Sequence, residues 1–291
     1  MSDLYTIFIE PFVEFSFMRF ALVSSFCLAL SSAPIGVFLV MRRMSLMGDA
    51  MSHAVLPGAA IGYMIAGLSL PAMSLGGFVA GVLMALFAGL ASRFTSLKED
   101  ANFAAFYLTS LALGVLLVSV NGSSVDLLHL LFGSVLAVDE PALILVASVT
   151  SVTVLALALM YRPLMMESID PTFLQAVNGR GGLWYGAFLV LVVINLVAGF
   201  QALGTLMSVG LMMVPAISAR LWANSMGKVL SIACLIAFVC GYGGLLLSFY
   251  VEVPSGPAII LLCGLVYLLS VIFGVHGGVV ARLWRSKHRV A

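Results

Sequence analysis

Long apolar runs broken by short polar stretches dominate the chain. Residues 20–41, 70–91 and 229–249 are each about 20 residues or more of nearly unbroken hydrophobic sequence, the length an α-helix needs to cross hydrocarbon. A membrane β-strand would instead alternate polar and apolar side chains over about ten residues, and these runs are apolar on every face, so the pattern predicts helices. Read in order, the spans fall at 17–41, 50–66, 70–92, 101–120, 136–160, 185–200, 203–221, 229–250 and 255–275. The expected fold class is all-α, a polytopic transmembrane helix bundle of about nine spans (about 8–10). Residues 1–291 are expected to form a single transmembrane domain, since no internal loop is long enough for a second one.

Two stretches depart from plain spanning helices. Residues 121–134 are apolar but short and contain Asp126, His129 and Gly133, which predicts a re-entrant or surface-lying segment. In residues 198–205, Gly199 and Gly204 flank Gln201, which favours a tight turn between two spans, with a single broken helix as the alternative. Gly77, Gly81, Ala85 and Gly89 put small residues at four-residue spacing on one face, where another backbone can come close.

Composition agrees with the pattern: 63% of residues are hydrophobic and 9% charged, against about a quarter charged in soluble domains. Basic residues resist translocation, so their placement orients the spans. Arg42, Arg43, Arg93, Lys98, Arg162, Arg180, Arg220, Lys228, Arg282, Arg285, Lys287 and Arg289 all fall on one side of the alternation, with Arg19 alone opposite. That side is expected to be cytoplasmic, with the N-terminus outside and the C-terminus inside. The outer side then holds Asp3, Glu10, Glu14, Asp126, Asp139, Glu140 and Glu252, a field that attracts cations, although scarcity of outer Lys and Arg is itself a topogenic rule. The acidic Asp3, Glu10 and Glu14 precede the first long run, unlike a cleavable leader. Cys27, Cys234, Cys240 and Cys263 all lie in apolar spans without CxxC spacing and are expected to pack as small hydrophobes.

An ionisable group within a membrane is costly and marks a function or a partner. Asp49 is such a group, in the run MGDAMSHAVLPG, and His53 follows four residues later. On a helix this spacing puts carboxylate and imidazole on one face, with Cβ atoms about 6 Å apart. One metal ion can bridge them, and the oxygen-plus-nitrogen set suits zinc or manganese better than calcium or magnesium. Two strong ligands also suit transport, because an ion held by a full set would not leave. Met47, Met51 and Ser52 are candidates for weak additional contacts. Two other readings stay open: a plain hydrogen-bonded pair at a helix N-terminus, and a proton relay. Pro57 is expected to bend this helix and free carbonyl groups. Asp126 and His129, spaced i and i+3, share a face and could form an entry site or a solvated pair. Asp170 with Pro171 reads as a helix start and Gly179 as its stop, giving a short helix in a loop.

The run GDAMSHAVLPG resembles the permease subunits of bacterial zinc- and manganese-uptake ABC transporters. LFGSVLAV, ESIDPTFLQAVNG, GTLMSVGLMMVPAISARL and PSGPAIIL fall where that family carries similar runs, so the likeness covers most of the chain. It implies a permease subunit in the bacterial plasma (inner) membrane that carries Zn2+ or Mn2+ as cargo and needs no cofactor. It also implies a homodimer or paired permease with the ion path at the shared interface, two cytoplasmic ATPase subunits and an external metal-binding protein. Asp49 and His53 match the family's intramembrane metal-coordinating positions. Asp170, Phe173, Leu174, Ala176 and Gly179 match its cytoplasmic coupling segment, here 163–182, which docks on the ATPase. His129 and the basic tail 276–291 have no counterpart in that pattern.

Other classes fit less well. ATP hydrolysis by this chain would need GxxxxGK followed by Ser or Thr, but Gly227 and Lys228 precede Val229 and position 222 is Trp222, so any ATPase is expected on a separate polypeptide. A proton-coupled secondary carrier using Asp49 and His53 is the alternative, and such carriers show repeated halves, whereas GDAMSHA occurs once. An intramembrane protease would need HExxH or GxSxG, and neither is present. Nothing in the charge pattern suggests nucleic acid as a partner; the medium is membrane lipid.

Overall fold

The computed structural model describes residues 2–45, 47–67, 69–94, 99–120, 138–169 and 181–281. Among the described residues there are twelve helices: α1 (Ser2–Phe8), α2 (Glu10–Glu14), α3 (Ser16–Met41), α4 (Met47–Ala54), α5 (Leu56–Ala66), α6 (Leu70–Phe94), α7 (Glu99–Val120), α8 (Glu140–Ile169), α9 (Gly181–Leu203), α10 (Thr205–Arg220), α11 (Met226–Val251) and α12 (Ser255–Phe273). No strand occurs among the described residues. Six of these helices are long and apolar enough to cross a bilayer, namely α3, α6, α8, α9, α11 and α12, while stretches of α7 and α10 are shorter apolar helices. The chain is an all-helical, polytopic membrane protein.

Helix boundaries follow local chemistry. α8 begins at Glu140, where Asp139 caps it, its Oδ1 accepting the Ala142 N–H at 3.0 Å. It then runs on through Pro163 to Ile169, past the expected end near 160. Between α9 and α10, Gly204 sits at φ 88°, and a Cβ placed on Gly199 would lie 2.9 Å from Cβ of Ser208. Residues nine apart on a continuing helix would be about 13 Å apart, so the chain folds back in a tight turn and is not one broken helix.

α3 and α9 form the middle of the bundle. One apolar cluster joins α3 to α10, α11 and α12 through Leu28, Leu211, Ala237 and Ile259. A second joins the other end of α3 to α4, α6, α8 and α9 through Phe38, Met51, Ala85, Leu164 and Val192. The outer faces of α6, α8 and α12 expose Leu75, Leu155 and Leu261, as suits helices bathed in lipid rather than water.

Close helix approach depends on small residues, as expected, with a shift of face. Gly81 packs on Val193 of α9, with a Cβ built there reaching its Cγ1 at 2.6 Å, and Ala85 is buried, but Gly89 has nothing within 4 Å. Close backbone contacts also lie elsewhere, where Gly58 and Gly62 of α5 meet Gly76 and Ala72 of α6, and where Gly36 of α3 meets the Met212 backbone of α10. The four cysteines are free thiols, and Cys240 and Cys263 are buried in the first cluster.

Candidate functional site

Asp49 and His53 both lie on α4, an unbroken helix, so the predicted one-turn stacking is realised. His53 Nε2 stands 3.6 Å from Asp49 Oδ1. That is long for a hydrogen bond and leaves room for an ion to be shared between the two groups. The Asp49 side chain is 60% exposed and that of His53 28%, so the pair opens onto the surface of the protomer.

Two neighbours hold this geometry. The helix itself is tightened by Ser52, whose hydroxyl donates to the Asp49 carbonyl at 2.8 Å. The His53 ring stacks against Tyr107 of α7, with centroids 6.2 Å apart and planes 28° apart. His53 Nδ1 is buried and has no hydrogen-bond partner. The imidazole is therefore oriented by ring contact rather than by the acceptor that usually steadies a metal-binding histidine.

The expected break at Pro57 comes slightly earlier. α4 ends at Ala54, Val55 keeps helical angles of φ −72° and ψ −27°, and α5 starts at Leu56 with Pro57 in its first turn. Proline supplies no N–H, which interrupts the ladder just upstream. Ser110 of α7 answers by donating its hydroxyl to the Ala54 carbonyl at 3.2 Å. A side chain of the neighbouring helix thus takes one carbonyl near the break.

The remaining expected residues divide into two groups. Met47 and Met51 are buried in the apolar cluster with Met212 and Met213, and Met51 turns into the core, about 200° around the helix from Asp49 and His53. It sits away from the pair it was expected to supplement. Asp126, His129, Asp170, Phe173, Leu174, Ala176 and Gly179 lie outside the described residues. Among the described residues no group of three or more His, Cys, Asp or Glu gathers in one place.

Sequence reasoning missed Tyr107 and Ser110. Both lie in an otherwise apolar run, where an aromatic or a serine carries no periodic signal, and only the packing of α7 on α4 reveals them. It also missed the environment of Arg42. The guanidinium of this residue, at the end of α3, pairs with Glu167 of α8 at 2.9 Å and lies over the rings of Tyr185 and Phe188 of α9 at 5.1 and 5.4 Å.

Six long apolar helices, with a carboxylate–imidazole pair on the short helix α4 beside them, define a multi-pass integral membrane protein. The chain belongs to the ABC 3 transport family, whose model matches residues 14–274. It is 32% identical over 288 residues to the manganese transport system membrane protein MntC of Halalkalibacterium halodurans, covering 99% of this chain and 97% of that protein. It is 31% identical over 265 residues to the manganese import system permease protein ScaB of Streptococcus parasanguinis, covering 91% and 93%. The solved structure of PsaBC from Streptococcus pneumoniae in complex with Fab superposes with a TM-score of 0.82 at 29% identity, covering 96% of this chain and 98% of that one. These likenesses and the six long apolar helices make it a protein of the bacterial plasma membrane.

Proposed function

We propose that this chain is the permease subunit of an ATP-binding-cassette importer that moves a divalent transition metal ion into the cytoplasm. The observation that carries this reading is the Asp49–His53 pair, one negative oxygen ligand and one imidazole held 3.6 Å apart on a helix of a membrane protein. The ion is manganese or zinc, both of which accept that donor set, and the names of the relatives MntC and ScaB favour manganese.

The exposure of the pair supports a homodimer. A carboxylate turned toward hydrocarbon costs at least a few kcal/mol, so the open Asp49 face needs water or protein against it. A second copy related by a twofold axis would present the same surface, bringing two carboxylates and two imidazoles toward one path. The likeness to PsaBC is consistent with a paired permease.

In this reading residues 1–291 form one permease domain that crosses the bilayer about nine times, with the N-terminus outside. The long helices account for six crossings, α7, α10 and the α4–α5 pair for the rest. Segment 163–182 would engage one of two cytoplasmic ATPase subunits, and an extracytoplasmic protein would deliver the ion.

The test is uptake into vesicles that hold the permease, the ATPase and the delivering protein. Asp49→Ala and His53→Ala are expected to abolish uptake of Mn2+ and Zn2+ while leaving assembly intact. Uptake at the normal rate in both variants would remove the pair from the path. Uptake driven by a proton gradient in vesicles with this chain alone would instead establish a secondary carrier.

A further inference from the structure

Arg42 ties together three helix ends. It closes α3, and its guanidinium reaches Glu167 Oε2 of α8 at 2.9 Å while covering Tyr185 and Phe188 of α9. The side chains of Arg42 and Glu167 are each only 10% exposed. A buried ion pair adds little net stability over an apolar replacement, so its best-attested uses are fixing one arrangement or switching between two.

What it joins is specific. α8 ends at Ile169 and α9 begins at Gly181, so the partners of Arg42 stand on both sides of the stretch that links those helices. On its own chain Arg42 leads directly into the metal-site helix. Arg43 reverses the backbone at φ 60°, its N–H donating to the Val40 carbonyl at 3.1 Å and the Met44 N–H to that of Leu39 at 3.0 Å. The Met47 N–H then donates to the Met44 carbonyl at 3.1 Å, where α4 starts. These bonds connect the end of α3 to the start of α4, the helix that carries Asp49 and His53.

We infer that Arg42, through Glu167 and the Tyr185–Phe188 rings, is the positioning residue that transmits movement of the α8 and α9 ends to the Asp49–His53 pair, linking ATPase engagement to metal release. This rests on the proposed docking role of segment 163–182. Only arginine fits both demands, because its planar guanidinium can pair through its edge while its face lies on aromatic rings, which the compact lysine ammonium cannot do. α9 also packs on α4 directly, so a passive brace is the competing role.

The experiment uses the complete transporter in vesicles with Mn2+ as the probe. Arg42→Gln, Arg42→Lys, Glu167→Gln and the double exchange Arg42→Glu with Glu167→Arg are compared with Phe173→Ala and Leu174→Ala. Three quantities are read: Mn2+ held by the nucleotide-free complex, ATPase rate with and without the loaded delivery protein, and Mn2+ moved per ATP. The single Arg42 and Glu167 variants are expected to hold Mn2+ within about twofold of normal and to move about tenfold less per ATP, with partial recovery in the double exchange. Should Arg42→Gln fail to assemble, Arg42→Lys and Glu167→Gln carry the same comparison. Normal Mn2+ per ATP in those two variants overturns the inference, and so does a loss of held Mn2+ that matches the loss of transport, which is the mark of a brace. If Phe173→Ala and Leu174→Ala uncouple while the Arg42 and Glu167 variants stay coupled, this inference alone fails. If the former stay coupled, the docking reading beneath it fails.

Discussion

Tyr107 lies against His53, their ring centroids 6.2 Å apart, and the buried Nδ1 of that histidine has no hydrogen-bond partner. An aromatic face therefore fixes the rotamer of the imidazole where a hydrogen bond would ordinarily do so. Supporting groups of this kind change metal affinity by about 10–100-fold when removed. Tyr107→Ala is expected to weaken Mn2+ retention by about tenfold, whereas Tyr107→Phe, which keeps the ring, stays near normal. Equilibrium metal binding to the purified transporter checks this. Equal losses in both variants would transfer the role from ring to hydroxyl.

The contact between α5 and α6 leads to a stability prediction. Gly58 and Gly76 stand backbone to backbone, so a larger side chain at either must push the helices apart. Overpacking of this kind costs about 1–3 kcal/mol. Gly76→Val is expected to lower the midpoint of thermal unfolding in detergent, while Gly89→Ala, with nothing within 4 Å of the added carbon, leaves it unchanged. Because α5 continues from the helix that carries Asp49 and His53, Gly76→Val is also expected to slow uptake.

Much of this architecture is legible in the sequence, and the reason is physical. Hydrocarbon cannot satisfy backbone polar groups, so each spanning segment advertises itself as a long apolar run, and the expected runs 17–41, 70–92, 136–160, 185–200, 229–250 and 255–275 correspond to helices long and apolar enough to cross a bilayer. The i and i+4 relation of Asp49 and His53 is local, and local relations survive from sequence to structure. Arg42 shows the opposite case. As a sequence feature it is a boundary charge, and its pairing with Glu167 depends on how α3, α8 and α9 meet, which no periodicity within one helix encodes. The burial of Met51 beside Met212 and the outward opening of Asp49 are likewise products of helix packing.

The start of α8 gives a matched set of variants. Asp139 Oδ1 accepts the Ala142 N–H at 3.0 Å, satisfying one of the donors left over at a helix start. Asp139→Ala is expected to cost about 1 kcal/mol, and Asp139→Asn or Asp139→Ser much less, since each can still accept that bond. Thermal unfolding of the purified chain measures the difference. Equal stability of all three would mean that Glu140 and Pro141 alone are enough to start the helix.

The choice of ion follows from what stands beside the pair. Met47 and Met51 are packed into the core, so no soft sulfur from α4 joins the oxygen and nitrogen of Asp49 and His53. Hard and borderline donors of that kind accept Mn2+ and Zn2+ readily, whereas Cu+ depends on thiolates and thioethers. Uptake of Mn2+ is therefore expected to be inhibited by Zn2+ and scarcely by Cu+. His53→Asp, which replaces the nitrogen with a second carboxylate, should shift the balance toward Mn2+, the ion that favours all-oxygen surroundings. Competition among these ions in the same vesicles, followed by elemental analysis of what the transporter holds, measures both effects. Strong Cu+ competition, or a shift toward Zn2+ in His53→Asp, would mean that the ion meets donors other than this carboxylate and this imidazole.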